Sequence, residues 1–341
     1  MSDDISARLA AYLAPKLGAA SVEVSDLARI AGGASRETYR FRARYTQDGN
    51  ILDRALILRR DPVASLIDTD RTTEFRAYQA FHKLGLPVPE PIALELGTGA
   101  LDRPFFIMEE IEHCSVASIL TPDPYGAHRE KIGRQFFTTL GQIAKADPDS
   151  IGLSNFDGAR EASWLHEVQR WEREIDEDER EPQPIARAAI RWLKRNPPPR
   201  AQKLSVVHGD YRTGNFLYDA DGTIRAILDW EMAHLGDPLE DLGWALDPLW
   251  SHGDPSHPAG LVSRERAIAI WEQASGLKAD PKALHWWEIF ASLKGAAIWI
   301  SAAREYSDMR NADPVNCFSG WFCLAFHNKV LVEKLSVEAA P

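Results

Sequence analysis

The sequence predicts an α+β fold in which a strand-rich, antiparallel first part is followed by a mostly helical second part. Apolar residues alternate along several short segments before residue 110, which is typical of strands with one buried face. After residue 126 they recur at helical spacing along most segments. The length of 341 residues also exceeds one average domain, since a domain holds roughly 100–200 residues. We therefore expect two lobes, residues 1–112 and residues 113–341.

The elements of the first lobe follow from periodicity and turn signals. Ile5, Leu9 and Leu13 lie four residues apart, which indicates an amphipathic helix. Asp48-Gly49 is a hairpin-turn signal between two strand-like segments. The predicted elements are helices over residues 4–17 and 71–84 and strands over Tyr39–Tyr45, Arg54–Arg60, Ile92–Leu96 and Phe105–Glu109.

The second lobe is predicted to be helical except for one compact block of short strands. Its helices are predicted over residues 126–146, 161–180, 184–195, 264–275, 281–306 and 319–335. Its strands are predicted over Leu204–His208, Asn215–Tyr218 and Ile224–Leu228. Because two apolar strands in this block end in polar residues, the block is the candidate site of chemistry.

Composition and charge exclude several classes of protein. The formal net charge is −11, from 39 basic and 50 acidic residues, which argues against nucleic acid or an anionic membrane as a partner. The three cysteines, Cys114, Cys317 and Cys323, form no CxxC pair, so neither a disulfide framework nor a zinc site is indicated. The N-terminus lacks a signal-peptide pattern, and no apolar run is long enough to span a membrane. We expect a cytoplasmic protein.

A constellation of polar residues follows the two buried strands of the block. Leu204–Val207 leads into His208-Gly209-Asp210, Asn215 follows five residues after Asp210, and Ala226–Leu228 leads into Asp229. Phosphoryl transfer from ATP needs a carboxylate base and oxygen ligands for Mg²⁺. We therefore interpret Asp210 as the base, Asn215 and Asp229 as metal ligands, and His208 as a brace for the loop. The alternative is that His208 and Asp210 form a turn pair and Asp229 caps a helix over residues 230–234.

This block resembles the aminoglycoside phosphotransferase family, which also includes choline kinase-like enzymes and shares the protein-kinase-like fold. The resemblance extends through Gly236-Asp237-Pro238 to Asp241-Leu242. It implies a two-lobed kinase that uses ATP and Mg²⁺ to phosphorylate a hydroxyl of a small molecule. Protein substrates are disfavoured, because a long activation loop is missing after Asp229. For Asp237 and Asp241 we favour a structural role at the catalytic loop over contact with substrate or metal.

The resemblance also covers the first lobe. Gly33 and Ser35 lie in a small-residue turn that matches the nucleotide loop of the family, whose backbone N–H groups can bind phosphate oxygens. Where the family keeps a lysine on the third strand, this chain has Arg59, with Glu74 as its expected partner. Arginine keeps the charge without being equivalent to lysine. The alternative for Arg59 is a surface cation at a strand edge.

The last strand of the first lobe is expected to lead into the hinge that binds adenine. By resemblance, the base would bond to backbone atoms near Glu109 and Ile111, with Met108 against the ring. The chain also resembles the kinase domains fused to certain acyl-CoA dehydrogenases, for which hydroxylated acyl chains are one implied acceptor. The segments that carry this resemblance are Leu58-Arg59-Arg60, Glu74-Phe75-Arg76, Leu86-Pro87-Val88-Pro89, and Trp164 with Gln169-Arg170-Trp171. The intact base and metal ligands favour an active kinase, whereas Arg59 leaves open a nucleotide-binding pseudokinase that serves as a scaffold.

Overall fold

The computed structural model describes residues 2–30, 37–61 and 71–337. Gly33 and Ser35 of the predicted nucleotide loop lie outside the described residues. The described helices are α1 Ser2–Lys16, α2 Arg71–Lys83, α3 Arg129–Lys145, α4 Ser163–Asp178, α5 Pro184–Arg195, α6 Leu239–Ala245, α7 Arg264–Ser275, α8 Pro281–Ser307, α9 Pro314–Phe318 and α10 Leu324–Val337. The described strands are β1 Val22–Arg29, β2 Glu37–Gln47, β3 Asn50–Arg60, β4 Pro91–Glu95, β5 Phe105–Glu109, β6 Cys114–Ser115, β7 Ser205–Val207, β8 Phe216–Asp219, β9 Ile224–Ile227 and β10 His234–Gly236.

The chain folds into two compact units that are not simple halves of the sequence. The first unit holds Met1–Cys114 and Arg225–Glu231, and the second holds Ser115–Ile224 and Met232–Pro341. The short segment Arg225–Glu231 therefore belongs to the same unit as residues 1–114 although it comes late in the chain. The division into a nucleotide-binding lobe and a substrate-binding lobe at residue 112 stays a prediction.

A five-stranded antiparallel sheet organises the first unit, with strand order β1-β2-β3-β5-β4. Strands β2 and β3 form a hairpin in which Gln47 pairs with Asn50. Its turn residues Asp48 and Gly49 both have positive φ, 49° and 78°, as a two-residue turn of matching twist requires. This confirms the predicted hairpin. Leu9 and Leu13 of α1 are buried with the apolar face of the sheet.

Strand β1 was not predicted, and its backbone explains why. Val22 and Val24 begin an alternating pattern, but the register with β2 shifts between Ser25 and Ala28. Asp26, inside this irregularity, has φ 55°. A bulge of this kind adds a residue to one strand, so the period of two on which the sequence prediction depends is lost after Val24.

Helices dominate the second unit, as predicted. The long helix α8 is buried along most of its length, and β7 pairs antiparallel with β10, with Val207 opposite His234. Both β10 and the seven-residue α6 were missed, because segments this short carry no measurable periodicity. Among the helices of the described residues, none has the length and apolarity needed to cross a membrane.

Candidate active site

The backbone of the loop after β7 is hydrogen-bonded to a buried carboxylate. Asp241 on α6 accepts hydrogen bonds from the backbone N–H groups of His208, at 2.6 Å, and Gly209, at 2.9 Å. Burial raises the pKa of Asp241 to about 6, although both N–H donors favour the charged form. The bracing role favoured for Asp241 from the sequence therefore has its contacts in the structure.

Gly209 is required by the geometry of this loop. Its φ is +85°, and a Cβ placed on it would lie 2.5 Å from the carbonyl oxygen of Met232. A left-handed backbone with so close an approach leaves room for glycine alone. The His208-Gly209-Asp210 sequence is thus fixed in part by shape.

Asp210 presents a carboxylate whose orientation is set by three donors. Its Oδ1 accepts from the indole Nε1 of Trp244 and from Nε of Arg212, each at 2.9 Å. Its Oδ2 accepts from Nδ2 of Asn215 at 2.6 Å. The side chain keeps 14% of its surface exposed. Because a carboxylate offers about four lone-pair sites, capacity remains for a hydroxyl donor.

Asn215 and His208 both turn a nitrogen atom toward Asp210. Nδ2 of Asn215 also donates to the backbone carbonyl of Asp210 at 2.9 Å, which leaves the amide oxygen as the group that does not take part in these bonds. Nδ1 of His208 accepts from the backbone N–H of Asp210 at 3.1 Å, and the ring is fully buried. The second unit therefore brings His208, Asp210 and Asn215 together in one loop.

Arg212 and Trp244 were not singled out from the sequence. Arg212 follows Asp210 by two residues, so its position within the motif could have indicated a cation that pairs with Asp210. Trp244 lies 34 residues from Asp210, one helical turn after Asp241, and residues three apart share a helix face. Its indole packs edge-to-face with Trp250, with ring centroids 5.1 Å apart.

The first unit contains a second charged cluster, formed by Arg59, Glu74 and Asp229. Arg59 on β3 pairs with Glu74 on α2 and lies 3.3 Å from Oδ1 of Asp229. The side chains of Arg59 and Glu74 are 13% and 0% exposed, and that of Asp229 is 33% exposed. Burial alone would lower the pKa of Arg59, but the carboxylates of Glu74 and Asp229 raise it above its ordinary value. Arg59 is therefore a largely buried, paired cation and not a surface residue at a strand edge.

Asp229 occupies a constrained backbone position. Its φ is 68°, and its N–H donates to the hydroxyl oxygen of Tyr78 on α2 at 3.0 Å. Next to it, Trp230 stacks on Phe81 with ring centroids 4.5 Å apart. Residues 230–233 form no helix, so Asp229 does not cap one, and the alternative role considered for it is wrong.

The predicted hinge residues lie at the end of β5. Met108 is buried within the sheet, opposite Ile57 of β3. Glu109 is the last residue of the strand, and its N–H donates to the carbonyl of Glu90 at 2.9 Å. Ile111 follows the strand and is half-buried. The structure thus places all three at one strand end, while their role toward adenine stays a prediction.

Known proteins are similar to this chain over most of its length. Human acyl-CoA dehydrogenase family member 11 is 27% identical over 304 residues, covering 84% of this chain and 37% of the relative. The chain thus spans little more than a third of that relative. A solved structure described as a putative aminoglycoside phosphotransferase from Ralstonia eutropha has a TM-score of 0.78 at 20% identity and covers 97% of this chain and 98% of its own. A thermostable mutant of aminoglycoside phosphotransferase APH(4)-Ia, solved in ternary complex with AMP-PNP and hygromycin B, has a TM-score of 0.57 at 16% identity, with 98% and 99% covered.

These likenesses confirm the kinase-like fold and the predicted relation to the acyl-CoA dehydrogenase-associated subgroup. The family model described as "Phosphotransferase enzyme family" matches residues 26–277, a range that includes Arg59, Glu74, His208, Asp210, Asn215 and Asp229. This match covers most of the chain, and the chain therefore belongs to the APH phosphotransferase enzyme family.

Proposed function

We propose that the protein is a kinase that transfers the γ-phosphoryl group of ATP to a hydroxyl of a small molecule in the cytoplasm. The observation that carries this proposal is the Asp210 carboxylate, oriented by Trp244, Arg212 and Asn215 and still partly exposed. A base must lie within hydrogen-bond reach of the proton that it takes. An oriented carboxylate with a remaining acceptor site meets this requirement for an alcohol.

The contacts support different roles for Asp210 and His208. Asp210 positions the acceptor hydroxyl and takes its proton, while His208 holds the backbone N–H of Asp210 and does not react. Phosphoryl transfer asks little covalent chemistry of the protein, so positioning and neutralisation of charge dominate the rate enhancement.

Two side chains of the described residues each offer Mg²⁺ an oxygen ligand. The amide nitrogen of Asn215 is used by Asp210, so its oxygen is the group offered to a cation, and Asp229 adds a partly exposed carboxylate. Oxygen ligands of this kind are what Mg²⁺ prefers. We assign Asn215 and Asp229 as its ligands; when bound, the ion neutralises charge on the phosphates.

For the nucleotide, we assign Arg59 to the phosphates and Glu74 to holding Arg59 in place. Guanidinium groups bind phosphate oxygens in a fork geometry. Glu109 and Ile111 would bond to adenine through their backbone, Met108 would pack against the ring, and Gly33 and Ser35 would hold phosphate oxygens. The AMP-PNP in the APH(4)-Ia complex supports a nucleotide as the second ligand.

The deciding experiment is Mg·ATP turnover on a panel of hydroxylated small molecules, with water as the background acceptor. Asp210→Asn keeps the shape of the side chain, and we expect it to lower kcat by about 10²–10⁴-fold, as for loss of a general base. The exposed Asp149 provides a matched control, and Asp149→Asn should leave kcat unchanged. Absence of turnover in the wild type would refute the kinase, and full activity of Asp210→Asn would remove Asp210 from its role.

One observation favours a second candidate function, a nucleotide-binding pseudokinase that acts as a scaffold. The guanidinium of Arg59 contacts Asp229, the carboxylate assigned to the metal, and so competes with a cation for it. Calorimetry of ATP binding with and without Mg²⁺ separates the two functions. Affinity that is indifferent to Mg²⁺, together with no turnover, favours the scaffold.

A further inference from the structure

The second unit buries a lysine against the backbone of the catalytic loop. Lys294 on α8 has 2% of its side chain exposed. Its Nζ donates to the backbone carbonyl oxygen of Gly209 and lies 3.2 Å from Oε1 of Glu240 on α6. An ammonium group loses most of its hydration at such a site, so its contacts must compensate.

The charge of Lys294 is balanced by a buried network. Oε2 of Glu240 lies 3.1 Å from Nε2 of His234, and Nδ1 of the same ring lies 2.9 Å from the carbonyl of Met232. Glu167 on α4 approaches His234 at 3.8 Å. With a protonated His234, the carboxylates of Glu167 and Glu240 are both paired with cations, because Arg170 also lies 3.7 Å from Glu167.

Lys294 acts on the peptide group that carries Asp210. The carbonyl of Gly209 and the N–H of Asp210 belong to one planar peptide unit. Lys294 binds its oxygen end, and Nδ1 of His208 accepts from its N–H end at 3.1 Å. Both ends of the plane are therefore held by buried side chains, which restrains the backbone from which the Asp210 side chain departs.

A second contact links Lys294 to the Asp210 carboxylate. The ammonium lies 5.3 Å from the ring centroid of Trp244, within the range of a cation–π interaction. The indole Nε1 of the same Trp244 donates to Oδ1 of Asp210. Lys294 thus contacts both the peptide and the indole that orient Asp210, without touching the carboxylate itself.

We propose that Lys294 is a positioning residue for phosphoryl transfer, which sets the orientation of Asp210 through the Gly209 carbonyl and the Trp244 ring. This inference rests on the proposed kinase function. A displacement of about 1 Å at a reacting group can cost about 100-fold in rate. Loss of Lys294 should therefore appear in kcat and leave nucleotide affinity nearly unchanged.

The chain provides a matched control in Lys334 on α10. It is also largely buried, with 16% of its side chain exposed, and pairs with Asp247 at 3.6 Å. It donates to Oγ of Ser292 and to the carbonyl of Glu288, at 2.9 and 2.8 Å. None of its contacts among the described residues involves the catalytic loop. Lys334→Met therefore removes a buried lysine and its ion pair while sparing the Gly209 carbonyl.

The test compares Lys294→Met with Lys334→Met in the full chain. Both variants should lower Tm by several degrees. We expect Lys294→Met to lower kcat about 100-fold, with the KM for ATP changed less than about threefold, and Lys334→Met to keep kcat within about threefold of wild type. Equal loss of kcat in the two variants, or wild-type kcat in Lys294→Met, would overturn the proposal.

A double variant separates positioning from the cost of an unpaired charge. Glu240→Gln with Lys294→Met removes both members of the ion pair, and an amide oxygen can still accept from His234. The double variant should therefore recover part of the stability but not kcat. Recovery of kcat in the double variant would show that Lys294 only neutralises Glu240, against the proposal. The double variant also serves if Lys294→Met does not fold.

Hydrogen exchange keeps this test independent of turnover. The peptide spanning residues 204–215 should exchange faster in Lys294→Met than in Lys334→Met, because one end of the Gly209–Asp210 peptide is released. Unchanged exchange would refute the positioning role. If the wild type lacks turnover, the kinase proposal fails while the exchange comparison still decides the role of Lys294.

Discussion

The two charged clusters hold their carboxylates in different ways. In the first unit, Asp229 is approached by the guanidinium of Arg59, which is itself paired with the buried Glu74. In the second unit, Asp210 accepts from a neutral indole, a neutral amide and Arg212. Opposite charges stabilise one another in the first cluster, so we expect a change at any of its three residues to affect stability. In the second cluster Asp210, the proposed base, is held mainly by neutral donors, so we expect a change at Asp210 to affect the fold less.

The largest effect that this comparison predicts is on stability, at Arg59. Arg59→Met removes the cation that pairs with the buried Glu74, and breaking a buried ion pair costs about 3–5 kcal/mol. Asp210→Asn should cost less than about 1 kcal/mol, because only one donor pairing at a partly exposed side chain changes. Urea denaturation of both variants measures the difference.

A double variant provides the control for Arg59. Arg59→Met with Glu74→Met replaces the buried pair by apolar side chains of similar length, which is often neutral for stability. The double variant should regain most of the stability lost in Arg59→Met, while its affinity for ATP stays below that of the wild type. If Arg59→Met alone unfolds at the wild-type denaturant concentration, the pairing with Glu74 does not stabilise the first unit, and the contrast between the clusters is lost.

The sequence predicted the parts of this site that are local along the chain. The motif from His208 to Asn215 was recognisable because its members are separated by a few residues after an apolar strand. The donors to Asp210 and its peptide were not, since Trp244 lies 34 residues away and Lys294 lies 85 residues from Gly209. Such contacts depend on how α6 and α8 pack, which periodicity does not encode.

The same limit applies to the fold. Long elements with clear periodicity, such as α8 and the β2–β3 hairpin, were predicted. Strand β1 was missed because its bulge breaks the alternation. Local signals therefore identified the candidate residues and most of the elements, while the supporting contacts required the tertiary structure.

The next largest expected effect is a dependence of stability on pH, which arises from the buried network of His234, Glu167 and Glu240. Burial alone would lower the pKa of His234, but Glu167 and Glu240 raise it to about 9. A histidine whose folded pKa exceeds its unfolded value of about 6.5 stabilises the protein fully below that value and loses this effect as pH rises through 9. The shift corresponds to roughly 3 kcal/mol.

Denaturation at pH 6, 7.5 and 9.5, values chosen to span about 6.5 to 9, measures this dependence. We expect wild-type stability to fall across the range and His234→Gln to show a flatter profile. Lys294 and Arg170 are the neighbouring cations, and Asp237 and Asp241, whose pKa burial raises to about 6, titrate below most of this window. A wild-type profile as flat as that of His234→Gln would mean that the network does not require a charged histidine.

The smallest expected effect is on kcat, and it tests whether a single neutral donor to Asp210 is needed to orient the carboxylate. Trp244→Phe removes the indole N–H that bonds to Oδ1 but keeps an aromatic ring beside Trp250. Arg212 and Asn215 still hold the carboxylate, so kcat should fall only about 3–10-fold, the equivalent of about 1 kcal/mol. Trp286→Phe is the matched control, because it removes a buried indole bond to the carbonyl of Leu193 far along the chain from the loop.

The control should lose similar stability and keep kcat, so the ratio of the two kcat values reports on Asp210 alone. A rate in Trp244→Phe equal to that of Trp286→Phe would assign the orientation of Asp210 to Arg212 and Asn215. The second cluster would then depend on the guanidinium of an arginine, as the first cluster does. The two clusters would differ only in the residues that bind the backbone of the loop after β7.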